Sequence, residues 1–256
     1  MNARQTPIDS FRAILGEHFL PPARAASINL CELQKAWQTA RAWALNGRIK
    51  PAEILTEIQV NTFLAWLNSG SVEAKVIAAE VLSAIMDSRA FDPVLRMVSD
   101  INPDLRVAAV QAIGFWAKPS VTDALLAAAS DAITAVRLAA LQWLAVLTKE
   151  PGVYELLVNL YEHATDDRVR SAAGFGLYMS GDPRCLPLTL QYAQHKNWKI
   201  RQQAVSIIGQ IRDPNALGAL QALRNARSDP KPQVRKAAYV GLAWWADYQK
   251  NKQIIP

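Results

Sequence analysis

The chain has 256 residues, of which 51% are hydrophobic and 20% charged, with a formal net charge of +6. That balance supports a buried core and excludes a largely disordered chain, and 11 Gly and 14 Pro exclude collagen-like and Pro/Gly-rich low-complexity classes. No apolar run approaches the roughly 18 residues that a membrane span needs, and two cysteines, Cys31 and Cys185, are too few for a disulfide framework or a structural zinc site.

Along the chain, Met1 to Leu20 carries Arg4, Asp9, Arg12, Glu17 and His18, so it has no signal-peptide apolar stretch and the cytoplasm is the expected compartment. A short helix is expected in SFRAILGEHF, before the Pro21-Pro22 break. Asn29 and Glu32 fit a capping box opening LCELQKAWQTARAWAL, with a stop at Gly47. Residues 1–50 are read as an N-terminal helical cap, 51–248 as repeats and 249–256 as a solvated tail.

The repeats begin with the helix PAEILTEIQVNTFLAWL and continue through six segments that share one pattern: a basic residue, small residues, then an apolar pair. The basic residues are Lys75, Arg106, Arg137, Arg170, Arg201 and Arg235, spaced by 31, 31, 33, 31 and 34. Counted from each, position +3 is always alanine (Ala78, Ala109, Ala140, Ala173, Ala204, Ala238), and +7 and +10 are mostly apolar. Steps of four and three put these residues on one helical face. Alanine at +3 lets neighbouring helices approach closely. Asp182-Pro183 and Asp213-Pro214 then read as an N-cap followed by proline at the first helical position. Each unit is therefore an antiparallel helix pair of about 31 to 34 residues.

The Leu105-Arg106, Val136-Arg137, Val169-Arg170, Ile200-Arg201 and Val234-Arg235 starts, the double alanines and the Asp-Pro turns resemble the HEAT family, and more closely its short prokaryotic branch named after phycobilisome lyases. The expected fold is all-α: a right-handed α-solenoid of about six antiparallel helix pairs behind the N-terminal cap. Such a pattern encodes packing rather than function.

Three surfaces bear on function. The basic ladder at Lys75, Arg106, Arg137, Arg170, Arg201 and Arg235 is expected to be structural, each residue pairing with an acid or a helix terminus of the adjacent unit, with Asp104, Asp131, Asp166 and Asp167 near. A row of arginines gripping phosphates is the other reading of the same residues. Positions +5 and +9 should face away from the core, on the concave side of a solenoid, yet they include Phe115, Val146, Phe175, Met179, Val240 and Trp244 alongside Gln111, Gln142 and Gln210. An apolar exposed face with aromatic anchors marks a docking site. At the carboxyl end, Arg224, Arg227, Lys231 and Lys236 belong to a stretch that carries +5 of the net charge, either a basic patch for nucleic acid or a lysine-rich end cap.

No catalytic constellation stands out. His18, His163 and His195 share no register, and there is no G-x-S-x-G, Walker loop or G-x-G-x-x-G. Gly174-Phe175-Gly176 sits inside a helical pattern and fits close packing. Deoxyhypusine hydroxylases, a HEAT-like enzyme group, hold iron with repeated His-Glu pairs, and no His-Glu dipeptide occurs here. Both cysteines are expected in the core. The expected function is a non-enzymatic scaffold or adaptor, without metal or cofactor, that docks a partner protein segment on the concave face. The resemblance also implies a bilin-lyase-like protein holding a tetrapyrrole in that groove. A HEAT-like nucleic-acid binder ranks last, because the basic charge gathers at one end.

Overall fold

The computed structural model describes residues 6–43, 54–116, 119–182, 184–211 and 217–252. The Gly47 stop, the Asp213-Pro214 turn, Pro183 and the last four residues of the expected tail lie outside these segments. Among the described residues there are fourteen α-helices and no strand. They fall into two compact units, Met1–Ala140 and Leu141–Pro256.

In the first unit, α1 (Pro7–Leu15) starts earlier than the sequence pattern suggests. Thr6 and Asp9 form a capping box ahead of Pro7, and the chain turns out of the helix at Gly16, whose φ of 73° suits glycine. The helix α2 (Leu30–Trp43) opens with the Asn29 side chain accepting from the Glu32 N–H. Its buried stripe is Leu33, Trp37 and Ala40. Cys31 is off that stripe and exposed, so the expected core position for it is wrong, while Cys185 is buried as expected. The helices α1 and α2 lie against each other, and Phe11 contacts both Trp37 and Phe63, with ring centroids 5.2 and 6.3 Å apart. The pairs α3 (Glu57–Ser69) with α4 (Val72–Ala84), α5 (Phe91–Met97) with α6 (Pro103–Ile113), and α7 (Pro119–Ala128) with α8 (Thr134–Leu144) are the first three repeats.

The other three repeats are α9 (Val153–His163) with α10 (Asp167–Met179), α11 (Cys185–Tyr192) with α12 (Trp198–Gln210), and α13 (Leu217–Ala226) with α14 (Pro232–Lys252). The last of these continues through residues 249–252 of the expected tail. The second helix of each pair carries the basic residue. All six alanines at +3 are completely buried. At +7, Leu82, Ile113, Leu144, Leu177 and Ile208 are buried too. The period of four and three thus selects the core face in every repeat. Glycine serves the same purpose in α10, where a Cβ on Gly176 would meet Leu157 at 2.6 Å.

The arginines tie the loops together. Arg106 donates from Nε and Nη2 to the two carboxylate oxygens of Asp131 (2.8 and 3.1 Å), and from Nη1 to the carbonyls of Asp100 and Ile101. Arg201 repeats this with Asp229 (2.7 and 3.0 Å) and the carbonyls of His195 and Lys196. Each arginine therefore holds the loop before its own helix and the loop of the next repeat. The carbonyls it binds have no partner in a helix, and a planar five-donor fork satisfies them while accepting a carboxylate side-on. Arg137 and Arg235 keep the carbonyl contacts, to Asp131 and Ala132 and to Asp229 and Pro230. Asp131 and Asp229 also cap their loops by accepting from the N–H groups of Ile133 and Lys231. Of the other acids expected nearby, Asp166 pairs with Arg168 at 2.7 Å.

The hydrogen bond from Arg201 holds the Asp229 carboxyl below the ordinary aspartate value of 3.8. A carboxyl lowered in the folded state stabilises the fold fully above the unfolded value, and loses that effect as pH falls through the folded one. Wild type should therefore resist urea better than Asp229→Asn at neutral pH. The gap should close as pH is taken below 3.8; a gap that stays constant with pH would detach Asp229 from the stability of the ladder.

Candidate functional site

The most developed surface feature with the expected apolar character lies between α12 and α14. These helices touch at a pair of glycines: a Cβ on Gly209 would stand 2.7 Å from the Cα of Gly241, and one on Gly241 would stand 2.8 Å from the Cα of Gly209. Only side chains of hydrogen allow this approach. Above the crossing is a groove of about 260 Å³. One wall is Gln202, Ser206 and Gln210, spaced by four along α12. The other is Gln233, Lys236, Ala237, Val240 and Trp244 on one face of α14. In repeat register, Gln202, Ser206 and Gln210 and, on the other wall, Lys236, Val240 and Trp244 are the +1, +5 and +9 positions of two consecutive second helices.

Val240 and Trp244, expected at the docking face, thus come together in one groove and are exposed, Trp244 at 44%. Gln210 is there as well, and its carbonyl accepts from the Tyr178 hydroxyl. Val146, in the turn after α8, and Met179, at the end of α10, are also exposed. Phe115 and Phe175 depart from the expectation, since both are half-buried. Over Phe115 lies the Arg41 guanidinium of α2, 5.2 Å from the ring centroid, and Arg41 also pairs with Glu80 at 3.7 Å. Glu80 and Phe115 occupy the +5 and +9 positions of their repeats, so α2 reaches over the face that would otherwise be open. Phe175 is stacked with Tyr178 on its own helix, centroids 6.5 Å apart.

The four basic residues at the carboxyl end, Arg224, Arg227, Lys231 and Lys236, are all exposed. Arg227 sits over the Tyr239 ring at 5.6 Å, and Lys236 enters the groove wall. Sequence reasoning missed Gln202, Ser206, Gln233 and the Gly209–Gly241 contact. A glycine inside each of two consecutive second helices was the available signal.

Among the described residues, no group of three or more His, Cys, Asp and Glu side chains is placed to hold a metal ion. Burial pushes the Cys185 thiol up to about 11, which disfavours the thiolate that a nucleophile needs. No described helix is long and apolar enough to cross a membrane.

The HEAT-repeat family matches the chain over residues 60–145, 94–178 and 154–243, most of its length. The chain belongs to the HEAT-repeat family. HEAT repeats build α-solenoids, and that is its fold class. The match is to HEAT repeats in general, and nothing in it points to the phycobilisome-lyase branch. A search of curated proteins gave no match. Among solved structures, the HEAT chain is similar to the Escherichia coli protein YibA, at 16% identity and a TM-score of 0.51, covering 91% of each chain. It also resembles a designed armadillo repeat protein in complex with the peptide (KR)4, at 18% identity and a TM-score of 0.43, covering 85% of this chain and 94% of that one. Human deoxyhypusine hydroxylase aligns at 18% identity and a TM-score of 0.37, over 94% and 97%. At 16% identity the likeness to YibA speaks for the fold alone.

The adjacent tryptophans of α14 separate surface from core. Trp245 is 5% exposed and belongs to the core cluster with Ile208, Leu223 and Val234. Trp244→Glu should leave the circular dichroism spectrum intact and the unfolding free energy within about 0.5 kcal/mol of wild type. Trp245→Glu should cost about 3 kcal/mol or more, by burying a charge where an indole packs. Gly209→Val should cost about 2 kcal/mol by forcing α12 from α14. Denaturant titrations of the three variants check all of this.

Proposed function

We propose that this HEAT-repeat protein is a non-enzymatic adaptor that docks a partner protein segment in the α12–α14 groove. The single observation carrying this reading is the exposure of Val240 and Trp244 at a groove whose floor is a glycine crossing and whose rims are Gln202, Gln210, Gln233 and Lys236. An exposed tryptophan beside a concavity is the kind of anchor that dominates interface energies. The glutamine amides offer donors and acceptors to a peptide backbone, which orients a segment without demanding a particular sequence. Lys236, with Lys231 and Arg227 farther along the same end, favours acidic residues flanking the apolar anchor.

The test is selection of short peptides from a random library on immobilised protein, compared between wild type and Trp244→Glu. Wild type should enrich peptides with an aromatic or large aliphatic residue next to acids, and binding should survive high-salt washing, since apolar burial is not screened. The Trp244→Glu protein should lose at least tenfold in affinity for those peptides. Equal enrichment on both proteins would remove the groove from the function. Capture of nucleic acid alone, stripped by salt, would place the function at Arg224, Arg227, Lys231 and Lys236 instead. A visible absorbance change on adding a linear tetrapyrrole would favour the chromophore-handling reading.

A further inference from the structure

The arginine ladder is broken at one internal position. Arg106, Arg137, Arg201 and Arg235 all turn Nη1 onto two carbonyls of the preceding loop. Arg170 does not. Its Nε donates to the Tyr161 carbonyl, 3.3 Å away in the last turn of α9. The residue in the place of Asp131 and Asp229 is His195, which accepts from the Asn197 N–H through Nδ1 as those aspartates accept from Ile133 and Lys231. With Nδ1 an acceptor, Nε2 carries the hydrogen and donates it to Asp167 at 3.1 Å. The second oxygen of Asp167 takes the Tyr192 hydroxyl at 2.9 Å. Burial and the Asp167 contact push that hydroxyl up, so it remains a donor. The Asp167 carboxylate is thus turned onto Tyr192 and His195. Among the described residues, no acid fills the fork of Arg170.

A cavity of about 510 Å³ opens at this break, lined by Asp167, Arg170, Leu188, Gln191, Tyr192, Gln194 and His195. Gln191 and Gln194 are exposed at its rim. We propose that this cavity is a carboxylate-binding site. With Nε held by the Tyr161 carbonyl, an incoming carboxylate is taken end-on by the two Nη groups of Arg170, and the amides of Gln191 and Gln194 donate to its oxygens. The ligand is an acid bearing a free carboxylate, either an acidic side chain of a docked polypeptide or a small free acid. This site is separate from the α12–α14 groove, and either can fail without the other.

The test is NMR titration of isotope-labelled full-length protein, reading the Arg170 Nε–H and the side-chain amides of Gln191 and Gln194. Three probes are used: glutarate, an acetylated tetraglutamate amide, and sodium chloride at matched ionic strength. Saturable shifts with a carboxylate probe and not with chloride are expected. Binding should fall at least tenfold in Arg170→Gln and remain in Arg106→Gln. The His195→Asp variant should bind no probe, because the restored aspartate fills the fork from within, while its helical circular dichroism stays that of wild type. Tetraglutamate binding far tighter than glutarate identifies a polypeptide source, and the reverse identifies a free acid. Chloride shifts equal to those of the carboxylates, no saturable shift in wild type, or undiminished binding by a folded His195→Asp protein would each overturn the proposal.

Discussion

Each second helix of these repeats faces the same electrostatic problem at its start. The loop before it ends in carbonyls that no helix satisfies, and the loop of the next repeat must be held at a fixed distance. Arg106 and Arg201 answer both, with Nη1 on the loop before their own helix and Nε with Nη2 on an aspartate that also caps the loop of the next repeat, while Arg137 and Arg235 answer the first alone. A lysine offers a single point of attachment and no fork, so the geometry favours guanidinium wherever both contacts are made. The alanines at +3 are fully buried on the packed face of every second helix.

The interesting surfaces are where this regularity changes. At Gly209 and Gly241 the helices come closer than alanine would allow, which leaves Trp244 and Val240 standing beside a shallow trough rather than on a flat face. At His195 the ladder loses its acid, and an arginine is left facing a cavity. In the first two repeats that face is covered: Arg41 over Phe115 and its pairing with Glu80 bring α2 across the corresponding positions. The same register positions are thus apolar for two different reasons, packing beneath another helix at Phe115 and exposure at Trp244.

The positions that form these features were partly legible. The +5 and +9 register picked out Val240 and Trp244 correctly as outward-facing, because helical periodicity alone decides which side of a helix a residue occupies. It misjudged Phe115 and Phe175, because periodicity is silent on what else comes to lie against that side. Cys31 shows the converse error. Cysteine is commonly buried, but at the second residue of α2 it falls outside the stripe of Leu33, Trp37 and Ala40, and the helical face overrides the residue type.

What the sequence determined by itself is the local and repeated part: six basic residues at near-constant spacing, alanine at every +3, and helix starts marked by Asn, Asp and Pro. These follow from backbone periodicity and capping chemistry, which act within a few residues and recur identically in every copy. What only the tertiary structure decided is which arginine has an acid to bind, which glycines meet, and which apolar residue is covered. Those depend on residues 25 or more positions apart, such as Arg106 with Asp131 or Arg41 with Phe115, whose separation is set by the packing of whole helices. His195 makes the distinction plain: in the sequence it is one histidine among three, and in the folded chain it stands where two other repeats place the aspartate that completes an arginine.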